Sequence, residues 1–306
     1  MTKGLEAVNP LLNALSNGPL VAMGPLGAHF QQQDLLKTTE NTSLWCMQNP
    51  GYLQKALQQW VELGCRVIFP LTSEANPLVL KQTGAAISCK DVCARLVQAA
   101  RKAAGRSVCL GGDLQAVSLS TGRFLVPHGP LKRQEVYAAY REHAAALEQA
   151  GVDLFWLFTM VELQEIELAV QAMRDTCSLP VAVTMAFDAT RRRGYRTFMG
   201  VEAAEAARFM KDLQVDVFGV NCGSLSMEET TEILGIFRQA FPGWLAVKPN
   251  AGMPRLIHGE TVYPVLPREM AAHVPDWKNQ GAAIISGCCG ATSAHLQAIV
   301  EKLRES

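Results

Sequence analysis

The chain has 306 residues, of which 49% are apolar and 18% are charged, so it can bury a large core and is not expected to be disordered. Its 28 basic residues balance its 28 acidic residues, which leaves no net charge to attract a nucleic acid or an anionic membrane surface. We therefore expect a small-molecule substrate, with neither a nucleic-acid partner nor a membrane partner.

The first residues show no long apolar core followed by a small-residue cleavage site, and no apolar run is long enough to span a membrane. We expect a cytoplasmic protein. The chain carries 9 cysteines, and an odd number in a large chain without a secretory signal argues against a disulfide framework. Any cysteine with a special role is then expected to be a metal ligand or a reactive thiol.

Short apolar runs of strand character alternate along the chain with longer helical segments. The runs are nearly continuous in apolar residues, as parallel strands covered on both faces should be. Strands are predicted at 19–24, 65–72, 107–114, 153–159, 180–187, 216–222, 244–250 and 282–288. Helices are predicted between them at 52–63, 90–104, 134–150, 163–174, 200–213 and 227–240.

This repeated strand–helix alternation, without a linker or a break in composition, predicts a single (β/α)8 TIM-barrel domain over 1–306. A doubly wound open sheet is the alternative. Such a sheet would normally have fewer units and a GxGxxG turn after the first strand, where residues 23–27 read MGPLG. The barrel explains the whole length better.

Three cysteines stand where a barrel carries its chemistry, at the carboxyl ends of the strands. Cys222 ends predicted strand six, and Cys288 and Cys289 end predicted strand eight, only one strand further round the barrel. Three thiolates with one open position are typical of a catalytic zinc site. The adjacent glycines would let the chain bend so that both paired cysteines reach one ion. The alternatives are ordinary buried thiols or a vicinal disulfide.

At these residues the sequence resembles the homocysteine S-methyltransferase family, which includes betaine–homocysteine methyltransferase and the homocysteine module of cobalamin-dependent methionine synthase. The matching motifs are GVNC at 219–222, PNAG at 249–252 and GCCG at 287–290. Weaker similarity runs through 44–68, 151–160 and 277–295, so the resemblance covers essentially the full chain.

The resemblance implies that Cys222, Cys288 and Cys289 bind Zn2+, which activates a thiol for attack on a methyl group. It also implies that Asn250 occupies the fourth zinc position until the substrate displaces it; the alternative is that Asn250 only shapes a turn. Asn221, within the first motif, is expected to contribute to substrate binding.

Two departures from the family bear on the substrate. Where members carry an Asp-Gly pair after strand one, this chain has Met23 and Gly24; where they carry Glu-Thr after strand four, it has Phe158 and Thr159. The resemblance assigns these positions to substrate binding, and the two missing acids are those that hold the amino group of homocysteine. Burying that ammonium without a partner would be costly. We therefore expect a thiol other than homocysteine, or homocysteine held differently.

Met23, Trp156 and Phe158 would give such a thiol a more apolar pocket. Glu74 or Asp113 could supply a replacement acid, unless both are simply solvated in loops. An aromatic cage for betaine is not expected. The methyl donor is left open between a small sulfonium and methylcobalamin on a separate corrinoid protein.

Two other classes of function were weighed. A barrel hydrolase would need paired His or Asp metal ligands, and the 6 histidines show no such motif. A non-catalytic zinc- or thiol-binding subunit of a corrinoid methyltransferase complex is the alternative to an enzyme, although retention of all three cysteines argues against it.

Overall fold

The computed structural model describes residues 9–191, 194–257 and 260–305; residues 1–8 and 306 of the predicted domain lie outside these ranges. Within them, one parallel sheet of 8 strands forms the centre of the protein. These strands are β1 (Leu20–Val21), β2 (Val67–Ile68), β3 (Cys109–Gln115), β4 (Leu154–Met160), β5 (Val181–Met185), β8 (Val217–Asn221), β9 (Trp244–Lys248) and β12 (Ala282–Ile285).

The sheet closes on itself and forms a barrel. Its strands follow the order β1-β12-β9-β8-β5-β4-β3-β2, and a parallel bridge between Ala22 and Val67 joins the two ends. Backbone hydrogen bonds support the closure, from Met23 N to Val67 O (2.9 Å) and from Arg66 N to Val21 O (2.8 Å). The predicted TIM-barrel fold is therefore confirmed.

The helices bury one face against the sheet and against one another. Their limits in the described ranges are α1 (Pro10–Ser16), α2 (Leu26–Gln32), α3 (Thr42–Gln48), α4 (Pro50–Leu63), α5 (Pro77–Thr83), α6 (Cys89–Ala104), α7 (Val117–Thr121), α8 (Arg133–Ala150), α9 (Leu163–Arg174), α10 (Ala203–Asp212), α11 (Met227–Ala240), α12 (Pro267–Ala272), α13 (Val274–Asn279) and α14 (Ser293–Glu305). Gly64 and Gly151 end α4 and α8 in the left-handed conformation that favours glycine.

The structure adds elements that periodicity did not predict. Two antiparallel hairpins lie beyond the carboxyl ends of β5 and β9: β6 (Asp188–Ala189) with β7 (Tyr195–Arg196), and β10 (Arg255–Ile257) with β11 (Glu260–Val262). Their strands are only two or three residues long, so they lack the apolar runs that identified the barrel strands. No helix in the described part of the chain has the length and apolarity needed to cross a membrane.

Strand β8, which leads directly to Cys222, packs at very close range against β9. A Cβ built on Gly219, in the middle of β8, would lie 1.9 Å from the carbonyl oxygen of Ala246 in β9. Since β8 and β9 pair directly at these two residues, the register there requires a glycine.

We predict that Gly219→Ala lowers the free energy of unfolding by about 3 kcal/mol, because the added methyl group can only be accommodated by backbone movement. Gly51→Ala is the control. Gly51 lies in α4 with open space around it, so its substitution should raise the free energy of unfolding by about 0.5 kcal/mol. Urea denaturation measures both, and an unchanged midpoint for Gly219→Ala would contradict the packing described.

Candidate active site

The three predicted cysteine ligands meet at the carboxyl-terminal mouth of the barrel. The sulfur atoms of Cys222, Cys288 and Cys289 all lie within 4.8 Å of one another, and the Sγ atoms of Cys222 and Cys288 are 2.9 Å apart. Cys288 is buried, while Cys222 and Cys289 are partly exposed. A ligand entering from the mouth can therefore reach the cluster.

Unusual backbone conformations bring the thiols together. Cys222 directly follows β8 and has a φ of 56°, a left-handed conformation that is uncommon for a residue with a Cβ. Gly223 follows with a φ of 70°, and a Cβ there would lie 2.1 Å from the Phe187 carbonyl oxygen. At Gly290, a Cβ would lie 2.1 Å from the Tyr263 Cγ. The glycines of the motifs are thus sterically required.

The thiols share their protons unequally. Hydrogen bonds from Cys222 and Cys289 hold the pKa of the Cys288 thiol well below its usual range, in spite of burial, and the positive charge of Lys248 acts in the same direction. The hydrogen bond to Cys288 is also the main reason why the pKa of Cys222 lies well above its usual range. Cys288 is therefore the first thiolate of the cluster.

Lys248, at the end of β9, is a buried cation that sequence reasoning did not single out. Its Nζ donates to the backbone oxygens of Met23 (2.8 Å) and Gly287 (2.6 Å) and to the Ser286 Oγ (3.2 Å). Burial lowers its pKa, and the negative charge of the cysteine cluster opposes that effect. Lys248 thus joins the ends of β1, β9 and β12 and supplies a positive charge beneath the thiols.

Asn250 links two of the cysteine segments. Its Nδ2 donates to the Gly223 carbonyl oxygen (2.9 Å), and its Oδ1 accepts from the Cys289 backbone N–H (3.1 Å). Both ends of the amide are therefore occupied by backbone groups beside the cysteines. The arrangement accommodates the turn-shaping role, and the amide oxygen keeps a second lone pair that is not used by the Cys289 N–H.

Asn221 in β8 and Thr159 in β4 form a second connection, across the end of the intervening strand β5. The Asn221 Oδ1 accepts from the Thr159 N–H (2.9 Å), and its Nδ2 donates to the Thr159 Oγ1 (2.8 Å) and to the Cys222 Sγ (3.2 Å). Only 1% of Asn221 is exposed. An amide donor on the Cys222 sulfur stabilises negative charge there, so Asn221 acts on the cysteine cluster directly.

The other predicted substrate positions form an apolar wall. Phe158, half-buried, stacks on Trp156 at a ring-centroid distance of 5.2 Å and meets Phe69 edge-on at 4.9 Å. Met23 is buried, and its sulfur accepts a hydrogen bond from the Phe69 N–H (3.1 Å). Gly24 is packed under Trp60, where a Cβ would lie 2.9 Å from the ring. Met23 and Trp156 are both buried, so of the three predicted apolar positions only Phe158 is partly exposed.

The two candidate replacement acids are engaged in the fold and are not solvated loop residues. The Asp113 carboxylate is buried and accepts hydrogen bonds from the Thr72 N–H (2.9 Å), the Thr72 Oγ1 (2.8 Å) and the Ser73 N–H (3.1 Å). The Glu74 carboxylate accepts from the Thr42 N–H. Burial raises the pKa of both groups. Both carboxylates therefore already accept hydrogen bonds from backbone N–H groups of the fold.

The cluster has the chemistry of a site for a thiophilic metal ion. Three sulfur ligands lie within reach of one point, one of them is ionised first, and a partly exposed side remains for a further ligand. Tyr263, whose ring packs on Gly290, lies beside the same sulfurs. Its pKa is raised mainly by burial and, to a smaller extent, by the negative charge of the cysteines. Sequence reasoning missed Tyr263 because the β10–β11 hairpin separates it from the motifs.

Comparison with known proteins places this site in a family. A family model described as homocysteine S-methyltransferase matches residues 20–303. Methionine synthases of Mycobacterium tuberculosis and Mycobacterium leprae are 25% and 24% identical over 94% of this chain. The chain spans about a quarter of the length of these relatives, 25% and 24% respectively.

Solved structures share the barrel. The oxidised form of the homocysteine methyltransferase MmuM from Escherichia coli aligns with a TM-score of 0.78 at 20% identity, over 96% of this chain and 99% of that one. The metallated form of the same enzyme aligns with a TM-score of 0.77 at 19% identity, over 96% of this chain and 100% of that one. A methyltransferase from Methanosarcina mazei reaches 0.60 at 13% identity, over 97% of each chain.

We predict that mild oxidation of the metal-free protein joins Cys222 to Cys288. Their sulfur atoms need to approach by only about 0.9 Å to reach the length of a disulfide bond, and Cys288 supplies the attacking thiolate. Peptide mapping by mass spectrometry after alkylation checks the linkage. The Cys89–Cys93 pair, whose sulfurs are 3.9 Å apart, serves as an internal control and should remain reduced longer. A 288–289 linkage in place of 222–288 would contradict the geometry.

Proposed function

This chain belongs to the homocysteine S-methyltransferase family, and we propose that it is a zinc-dependent thiol S-methyltransferase in which Cys222, Cys288 and Cys289 hold the metal. The observation that carries the proposal is the convergence of three sulfur ligands within 4.8 Å at the barrel mouth, with one side of the cluster open. A closed structural zinc site would have four protein ligands, whereas three and an open position suit catalysis.

When bound, zinc would lower the pKa of an incoming thiol and hold its sulfur as a nucleophile. The residues of the chain have separate tasks. Lys248 offsets part of the negative charge of the cysteines, and the Asn221 amide stabilises the Cys222 sulfur. Asn250 fixes the Cys222 and Cys289 segments relative to each other. In the transfer itself, the substrate sulfur forms a bond to the methyl carbon while the donor leaves with the bonding electrons.

The thiol is proposed to lack an α-amino group, or to bind it differently from other members of the family. Phe158, which directly precedes Thr159 in β4, is apolar and stacks on Trp156, and the carboxylates of Glu74 and Asp113 are already hydrogen-bonded to backbone N–H groups. An ammonium would have to compete with these hydrogen bonds for a counter-charge, which disfavours homocysteine relative to a thiol without that charge.

The donor is proposed to be either a small sulfonium or a methylated corrinoid on a separate protein. Both require an electrophilic methyl group to approach the open side of the cluster. Exposed apolar side chains stand on segments beyond the same ends of β5 and β9, where Phe198 is 74% exposed and Leu256 is 78% exposed.

The enzymatic proposal predicts methyl transfer that depends on Cys288. With zinc and a panel of thiols, wild type should methylate at least one thiol from a sulfonium or from a methylcobalamin protein, and Cys288→Ala should lose at least about a hundredfold in rate. Cys177→Ala is the matched control, since Cys177 is a partly exposed thiol outside the cluster. Zinc binding without transfer in any combination would favour a non-catalytic subunit.

The substrate proposal predicts that Phe158→Glu improves homocysteine relative to its desamino analogue. A carboxylate at this position supplies the missing counter-charge and should raise the ratio of the two kcat/KM values about tenfold, whereas the uncharged Phe158→Gln should not. Both variants lose the stacking on Trp156, so their loss of stability should be alike. An unchanged ratio in Phe158→Glu would show that the amino group is held elsewhere.

A further inference from the structure

A second group of metal-ligating side chains lies outside the candidate active site, between α6 and α8. Cys89 and Cys93 occupy one face of α6, four residues apart, and His143 faces them from α8. The two sulfurs and a ring nitrogen all lie within 4.8 Å of one another. All three residues are buried, with 2% exposure at Cys89 and 0% at the other two. We refer to these residues as the α6–α8 cluster.

The distance between the two sulfurs suits a shared metal ion. With zinc–sulfur bonds of about 2.3 Å, two thiolates on one ion lie about 3.8 Å apart in a tetrahedral site and about 4.0 Å apart in a trigonal one. The Sγ atoms of Cys89 and Cys93 are 3.9 Å apart. They are too far apart for a disulfide bond without movement of the helix, yet they are already at the separation that coordination requires.

His143 provides an independent sign that a ligand is missing. Neither of its ring nitrogens makes a hydrogen bond of normal length and angle in the described structure, although the ring is completely buried. Burying an imidazole without a partner is costly. Burial also lowers the pKa of His143 to about 3, although an interaction with the Thr72 backbone acts in the opposite direction. A neutral imidazole is the form that binds a metal.

We propose that Cys89, Cys93 and His143 form a second site for a thiophilic metal ion. Two sulfurs and an imidazole select zinc or cuprous ions over magnesium or calcium. A divalent ion that displaces both thiol protons leaves the buried cluster without net charge, whereas a cuprous ion suits three ligands without a fourth. The site is distinct from the triplet of Cys222, Cys288 and Cys289, and it does not rest on the proposed function.

Such an ion would clamp two helices of the outer ring. Cys89 is the first residue of α6, directly after the N-cap Ser88, and His143 lies in the middle of α8. No solvent-exposed position remains on these three side chains, so the ion would have no access to a substrate. We therefore assign it a stabilising role, which raises the thermal midpoint by mass action on the folded state.

Metal analysis of four reduced proteins tests the proposal. They are wild type, Cys93→Ala, a triple variant with serine at 222, 288 and 289, and the two changes combined. Each is expressed in zinc-supplemented and in copper-supplemented medium, so that the ion can enter during folding. We expect about one ion per chain in the triple variant and none in the combined variant, with a lower thermal midpoint in the latter. The medium that loads the triple variant identifies the ion.

The design separates this site from the active-site proposal. If only the α6–α8 cluster binds metal, wild type holds about one ion, and Cys93→Ala loses it. Cys109→Ala, another buried thiol, is the control and should keep the wild-type content. If Cys93→Ala does not fold, His143→Leu replaces it. A folded triple variant that carries no zinc or copper from either medium would overturn the proposal.

Discussion

The buried ammonium of Lys248 holds the catalytic end of the barrel together. It lies at the end of β9 and binds backbone oxygens that follow β1 and β12, while the cysteines lie just above these same segments. An unpaired buried cation would be strongly destabilising. Lys248 therefore depends on the Met23 and Gly287 carbonyls and on the negative charge of the cysteines, and it holds those groups together in return. The fold and the electrostatics of the cluster are thus coupled at one residue.

This coupling explains why the motifs carry glycines and asparagines beside the cysteines. The left-handed Cys222 and the close contact of Gly223 with Phe187 direct one sulfur towards the others. The two asparagines then satisfy the backbone and sulfur atoms that these bends leave without partners: Asn221 towards Thr159, and Asn250 towards Cys289. The two asparagine amides therefore hold the segments that carry Cys222 and Cys289 in position.

The sequence predicted the barrel and the cysteine cluster because both depend on position along a strand. Apolar runs located the strands, and each cysteine motif ends one of them, so closure of the barrel was enough to bring Cys222 and Cys288 together. Lys248 was not predicted, because a lysine at the end of an apolar run carries no sign that its ammonium turns inward. The partners of Glu74 and Asp113 were equally hidden, since Thr42 and Thr72 contact them only through the tertiary fold.

The α6–α8 cluster shows the same limit more clearly. The spacing of Cys89 and Cys93 places them on one helix face, but only the packing of α8 against α6 brings His143 to them. The short hairpins had no periodicity to reveal them, and with them Tyr263 was missed. Contacts that follow from the order of strands in a barrel could be predicted, whereas contacts that depend on how two helices pack required the structure.

The most direct measurement is zinc-edge X-ray absorption on the zinc-loaded Cys93→Ala protein, which isolates the metal held by Cys222, Cys288 and Cys289. Our account predicts three sulfur ligands and one lighter ligand in the resting protein, and four sulfur ligands after the thiol substrate is added. A folded, reduced protein whose zinc has no sulfur ligands, or that binds no zinc at all, would contradict it.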